Sequence, residues 1–175
     1  ATALQLARAT AAIANGGDLR RPHLVAQRRD GFEAPWSALP QPKPTRITDN
    51  AAHLRAVQEG MMATIHGGGT GAAMARGAPY LMAGKTGTAQ KVSRKGSASV
   101  DPHNLPYHLR HQALFLGYAP ADNPKIAVAV VVEHGGYGGS TAAPIARKIF
   151  DAWLLGKMPE PPAPSAASRP GAPLA

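Results

Sequence analysis

The 175-residue sequence predicts an α+β fold, an antiparallel sheet covered by helices on both faces, and three observations carry that reading. Apolar residues recur at helical spacing in three separated runs, at the start, from residue 49 and from residue 140. Two strand-like runs, ALFLGY over 113–118 and IAVAVVV over 126–132, flank the turn-rich APADNPK and so form a hairpin. The stretches between neighbouring strands contain no helical pattern, which excludes a doubly wound parallel sheet.

In chain order, the first element is a short helix. Thr2 and Gln5 have capping-box spacing, Leu6, Ala9 and Ile13 share a face, and Asn15-Gly16-Gly17 ends the run. Residues 22–27 (PHLVAQ) read as an edge strand, a position where the missing N–H of Pro22 is tolerated. Pro35, Pro40, Pro42 and Pro44 then break any regular element, leaving surface loop. Asp49 is the expected N-cap of the next helix, with Leu54, Val57, Met61 and Ile65 on its core face and Gly67-Gly68-Gly69 as its exit. Met61 and Met62 read as core filler.

Residues 80–90 (YLMAGKTGTAQ) lack helical periodicity and hold two glycines, as suits a strand that a ligand's backbone approaches closely. A polar, basic loop over 91–111 leads into the hairpin. The continuously apolar, β-branched IAVAVVV is expected to be a central strand covered on both faces. The last helix takes Ser140 or Thr141 as N-cap, carries Pro144 in its first turn, and turns Ile145, Ile149 and Ala152 or Trp153 toward the sheet. Residues 158–175 are rich in Pro, Ala and Ser without apolar periodicity and are expected to be a disordered tail, so the folded unit is 1–157.

A formal net charge of +9 raises nucleic-acid binding as a question. The basic residues fall in two stretches, Arg20, Arg21, Arg28 and Arg29 and then Lys91, Arg94, Lys95 and Arg110, with few aromatics and no recognition helix or RNA platform, so no nucleic-acid partner is expected. The chain has no cysteine, hence no disulfide framework or thiolate metal site. It contains no apolar run of membrane-spanning length. It opens inside a helical pattern without an initiator Met, so an upstream portion is expected.

Gly84-Lys85-Thr86 matches the end of a phosphate-binding loop, but the position that must be the first Gly is Pro79, and residues 87–90 open no helix whose N-terminus would hold phosphate. Lys85-Thr86-Gly87 instead resembles the K-T-G element of acyl-serine enzymes, which elsewhere in the chain also carry S-x-x-K and S-x-N. KTGTAQ after an apolar strand start, then a long insertion, the hairpin ALFLGYAPADNPKIAVAVVVEHGG and the helix STAAPIARKIFDAWL resemble the class B penicillin-binding proteins. The match is in particular to their elongation-specific peptidoglycan D,D-transpeptidases, known as penicillin-binding protein 2. LQLARATAAIANGG followed by RPHLV is similar to the family's segment upstream of the motif, so the resemblance runs to about residue 157.

The resemblance implies part of a β-lactamase/transpeptidase-like domain that cross-links cell-wall peptides through an acyl-serine intermediate and binds penicillin. Acyl transfer from a D-alanyl-D-alanine peptide requires a cation near the reacting centre, donors for the terminal carboxylate, and backbone N–H groups aimed at the oxyanion. It implies that Lys85 supports the proton network, that the hydroxyls of Thr86 and Thr88 hold the carboxylate, that Gly87 admits the substrate, and that the Thr88 N–H is an oxyanion donor. It implies no metal and no cofactor. The partners it implies are the peptidoglycan stem peptide, β-lactams, a glycosyltransferase and other elongation-complex proteins. The location it implies is the periplasmic face of the bacterial inner membrane, with an anchor upstream of this chain.

One departure is large. No Ser is followed by Lys at the third position or by Asn at the second; Ser93-Arg94-Lys95 has the wrong spacing and Ser99-Val100-Asp101 lies after KTG. The nucleophile is therefore expected elsewhere in a longer parent, and the fragment alone is expected to be inactive. The alternatives are a D,D-carboxypeptidase or β-lactamase relative, or a non-catalytic module binding peptidoglycan or a partner. His103, His108 and His111 cluster without the carboxylate or Cys partners usual in metal sites and read as solvated loop. His134, before Gly135-Gly136, is left open as a residue lining the cleft.

Overall fold

The computed structural model describes residues 1–90 and 105–158. Most of the 91–111 loop, with His103, Ser93 and Ser99, lies outside the described residues, as does the tail from residue 159 on.

Helix α1 spans Ala3–Ala14 and begins as expected: the Thr2 hydroxyl accepts from the Gln5 N–H at 3.2 Å, and the Gln5 carboxamide oxygen accepts from the Thr2 N–H at 2.8 Å. Its buried positions are Thr10 and Ala12, with Ile13 half-buried, whereas Ala9 is exposed; the core face is rotated from the expected one. Thr10 tolerates burial because its hydroxyl donates to the Leu6 carbonyl at 2.9 Å, one turn back.

The expected edge strand over 22–27 does not form. Leu24 and Val25 are exposed, and only Gln27 of that stretch enters a strand. Residues 18–46 instead make two short ladders: β1 (Asp18–Leu19) pairs antiparallel with β4 (Thr45–Arg46), and β2 (Gln27–Arg28) with β3 (Ser37–Ala38). The excursion is closed at its base by Arg46 donating to Asp18 at 2.8 Å. At its tip Arg29 lies over the rings of Phe32 and Trp36, 5.3 and 5.0 Å from their centroids.

Helix α2 (Ala51–His66) is capped by Asn50 and not by Asp49: the Asn50 side-chain oxygen accepts from Ala52 and His53 N–H groups at 3.0 and 3.2 Å. Leu54, Met61 and Ile65 are buried as expected, but Val57 is 48% exposed. A short 3₁₀ turn, Ala72–Ala75, then leads to the main sheet.

That sheet has the order β5-β6-β7 among the described residues, with β5 at Ala83–Ala89, β6 at Gln112–Ala119 and β7 at Ile126–Val132, all antiparallel. The hairpin is as expected, but among the described residues β7 is an edge of this sheet and β6 is its centre. The uninterrupted apolar character of β7 comes from layers above and below it. Phe115, Val128 and Val130 on one face pack with α3 (Ala142–Leu155), while Tyr118, Ala83 and Ala127 on the other pack with Ile13 and Ala14 of α1 and Met61 of α2. Helices therefore cover both faces.

Helix α3 meets the sheet through Ala142, Ala143, Ala146 and Phe150, not through the expected Ile145, Ile149 and Trp153, which are 41%, 38% and 69% exposed. Small alanines let the helix axis approach the sheet closely, and Phe150 fills the remaining core volume. Arg147 ties this helix to the turn before β5. Its guanidinium donates to the carbonyls of Met74 (2.5 Å), Arg76 (3.0 Å) and Gly77 (3.3 Å) and to Asp151 at 2.9 Å, and Asp151 also accepts from the Tyr80 hydroxyl at 2.6 Å. Burial, reinforced by Asp151, pushes the Tyr80 hydroxyl well up from its ordinary value. Burial alone would raise the Asp151 carboxyl, but the hydrogen bonds from Tyr80 and Arg147 outweigh it and hold that carboxyl below its ordinary value. No helix among the described residues is long and apolar enough to cross a membrane.

Candidate functional site

Strand β5 carries Lys85, Thr86, Gly87 and Thr88, and among the described residues it pairs only with β6, leaving its other edge open. Alternation along the strand splits these residues between two faces. Thr86 and Thr88 lie opposite Phe115 and Ala113, on the α3 side, while Lys85 and Gly87 lie opposite Leu116 and Leu114, on the side of α1 and α2. Thr86 is buried, Gly87 half-buried, and Lys85 and Thr88 are exposed. The Lys85 ammonium donates to the Thr86 carbonyl at 2.6 Å, which brings the cation around to the strand's open edge.

A cleft of about 520 Å³ runs along that edge. One wall is Lys85, Thr86, Gly87 and Thr88; the other is Thr70 and the loop from Tyr137 to Ser140 that enters α3. This loop presses its backbone onto the strand. A Cβ on Gly138 would collide with the carbonyl oxygens of Leu114 and Gly87, and one on Gly139 would collide with the carbonyl of Thr70. Only glycine permits such an approach. The loop is also anchored to α3, since the Gly138 carbonyl accepts from the Ala142 and Ala143 N–H groups at 3.0 and 2.9 Å and the Thr141 hydroxyl donates to the Gly135 carbonyl at 2.7 Å. Thr141 thus starts the helix without capping it by side chain.

On the opposite face a second cleft, of about 470 Å³, is walled by Thr10 and Ile13 of α1, by Val57, Gly60, Met61 and Thr64 of α2, and by Leu116. Lys85 lines both clefts. A cation at the junction of an apolar cleft and a hydroxyl-lined one can serve a reacting group entering from the first and an anionic ligand lying in the second.

The chain matches the family model of the penicillin-binding protein transpeptidase domain over residues 1–151. It belongs to the penicillin-binding transpeptidase family. It is 37% identical over 161 residues to the peptidoglycan D,D-transpeptidase MrdA of Haemophilus influenzae, covering 91% of this chain and 25% of that relative. Among solved structures it is similar to Pseudomonas aeruginosa PBP2 in complex with WCK 5153, at TM-score 0.70 and 40% identity over 89% of this chain and 30% of that one. It is also similar to penicillin-binding protein A of M. tuberculosis as its imipenem acyl-enzyme complex, at TM-score 0.65 and 30% identity over 88% of this chain and 31% of that one. A third is the complex between Helicobacter pylori PBP2 and MreC, at TM-score 0.65 and 25% identity over 89% and 25% of the two chains. The fold is that of these penicillin-binding transpeptidase domains, and this chain spans about a quarter of the length of the curated relative.

For a family member of this kind, all four expected residues of the K-T-G strand come together in one cleft. Thr70 and the Tyr137–Ser140 loop were missed by sequence reasoning, since neither carries a motif within this chain; the two adjacent glycines 138 and 139 just before a helix start were the available signal. The His134 ring packs against Tyr107 with centroids 4.3 Å apart and planes tilted by 37°, at a His134 backbone φ of 57°. His111 is buried at the start of β6 and His108 lies in a 3₁₀ turn (Tyr107–Leu109). Among the described residues no three His, Asp or Glu side chains converge as a metal site.

Proposed function

We propose that this chain is the substrate-binding wall of a peptidoglycan D,D-transpeptidase that works through an acyl-serine intermediate and is acylated by penicillin. The observation that carries the reading is the open edge of β5, where a lysine, two threonine hydroxyls and a glycine line one cleft in a member of this family. The serine nucleophile belongs to the part of the parent that this chain does not include. Attack of its hydroxyl on the penultimate D-alanine carbonyl forms the acyl-serine ester and releases the terminal D-alanine; an amine of a neighbouring stem peptide then takes the acyl group and restores the serine.

In this reading Lys85 stabilises the site's proton network and the developing negative charge. The hydroxyls of Thr86 and Thr88 hold the terminal carboxylate of the peptide or the carboxylate of a β-lactam. Gly87 lets the ligand backbone approach the strand, and the Thr88 N–H is one oxyanion donor, a contribution worth roughly 10²–10³ in rate. The names of the relatives favour transpeptidation over a D,D-carboxypeptidase or β-lactamase, and the imipenem acyl-enzyme of a structural neighbour supports β-lactam acylation. Action outside the cytoplasm, on the periplasmic face of the inner membrane with an anchor elsewhere in the parent, accords with such a substrate. The PBP2–MreC complex of a neighbour supports assembly with elongation proteins, and a glycosyltransferase partner would supply the glycan strands to be cross-linked.

Labelling with a fluorescent penicillin tests this. The longer protein containing an S-x-x-K serine should label covalently, Lys85→Ala should abolish labelling with the fold intact, and this chain alone should not label. Absence of labelling in the longer protein would leave a non-catalytic binding module as the better account.

A further inference from the structure

Thr70 stands in the turn that follows α2, and its hydroxyl is hydrogen-bonded to the hydroxyl of Thr86 across the floor of the cleft. The two residues differ in setting. Thr86 is only 8% exposed, while Thr70 lies open on the opposite wall, its carbonyl packed against Gly139 so closely that no Cβ fits between them. Thr70 is therefore held in place by its backbone while its side chain meets the one K-T-G hydroxyl that solvent barely reaches.

A hydroxyl has one hydrogen to give and lone pairs to accept with, so only one member of this pair donates to the other. If Thr86 donates to Thr70, its remaining lone pairs face the cleft and repel a carboxylate. If Thr70 donates to Thr86, the Thr86 hydrogen is released toward the cleft and is polarised by the bond it receives. A carboxylate ligand selects the second arrangement, in which the donor chain runs from Thr70 to Thr86 to the anion.

We propose that Thr70 is a positioning residue for carboxylate recognition: it donates to the Thr86 hydroxyl and so commits the Thr86 hydrogen to the carboxylate of the acyl donor. This rests on the acyl-transfer reading above. Thr70 takes no part in bond making or breaking, and serine at this position would serve as well because it keeps the donor.

The test uses the longer protein that carries the nucleophile, with acylation rate constants measured by intact-mass spectrometry for benzylpenicillin and for its methyl ester, which lacks the anionic carboxylate. Thr70→Val should slow acylation by benzylpenicillin by about tenfold while leaving the slower reaction of the ester unchanged, and Thr70→Ser should restore the rate with benzylpenicillin to within about twofold. Equal slowing of both ligands by Thr70→Val, or no slowing of either, would overturn the assignment, the first because the residue would then be only structural. Lys85→Ala in the same assay separates this failure from failure of the site: if that variant is acylated at the normal rate the whole reading of the cleft falls, and if it is inert while Thr70→Val is normal only the role of Thr70 falls.

Discussion

Strands β5 and β7 are each seven residues long, both pair with β6, and among the described residues both are edges of the same sheet, yet one reads AGKTGTA and the other IAVAVVV. Strand β7 is apolar because helices lie on both of its faces, and its side chains contribute by burial. Strand β5 is covered on its α2 side near Ala83, but from Lys85 onward it borders two clefts and offers hydroxyls, a cation and bare backbone. Composition within a sheet thus follows what covers the strand more than its place in the strand order. Of the two parts of the expectation for β7, coverage on both faces is present, while among the described residues the strand lies at the edge of the sheet.

Substitutions should therefore separate the two edges, with β5 governing activity and β7 governing stability. The largest effect expected is from Thr86→Val combined with Thr88→Val in the longer protein. Loss of two hydrogen bonds to a carboxylate should lower the penicillin acylation rate by at least about 100-fold with little change in the unfolding midpoint. Stopped-flow labelling and a denaturant melt on the same samples check both halves. Next, Gly138→Ala drives a methyl group into the backbone of β5 and β6, so the loop must withdraw from the cleft. A displacement of this kind should cost up to about 100-fold in acylation, read by the same assay.

On the β7 side, Val130→Ala should destabilise by about 2 kcal/mol through lost burial and a small cavity, with the acylation rate of the folded protein unchanged; urea unfolding measures it. The smallest effect expected is at Asp151. Because its native carboxyl is held below the ordinary value of 3.8, its contribution to stability is present above that value and lost as the pH falls through the lowered native one. Asp151→Asn should cost about 1 kcal/mol near neutrality and flatten that acid limb in a pH series of thermal melts.

Much of the architecture was legible because local signals were strong. The Thr2/Gln5 capping box, the hairpin around APADNPK and the glycine stop after α2 each have a single physical reading, and each formed. The failures lie where periodicity does not say which apolar face wins. Ile145, Ile149 and Trp153 share a face on α3, but the alanine face packs on the sheet because small residues allow the closer approach. The Leu24-Val25 stretch looked like a strand and found no ladder, its only neighbouring pairing beginning at Gln27. For the site, the K-T-G strand was readable as a motif, whereas Thr70 and Gly138 became visible only once folding brought residues 16 or more positions away from Thr86 into one cleft.

The most direct test of the central claim is a crystal structure of the longer protein acylated by benzylpenicillin. The β-lactam carboxylate is expected to lie about 3 Å from the Thr86 and Thr88 hydroxyls, with the acyl carbonyl oxygen at a similar distance from the Thr88 N–H. A penicilloyl group whose carboxylate is held by other residues, leaving the edge of β5 unoccupied, would contradict it.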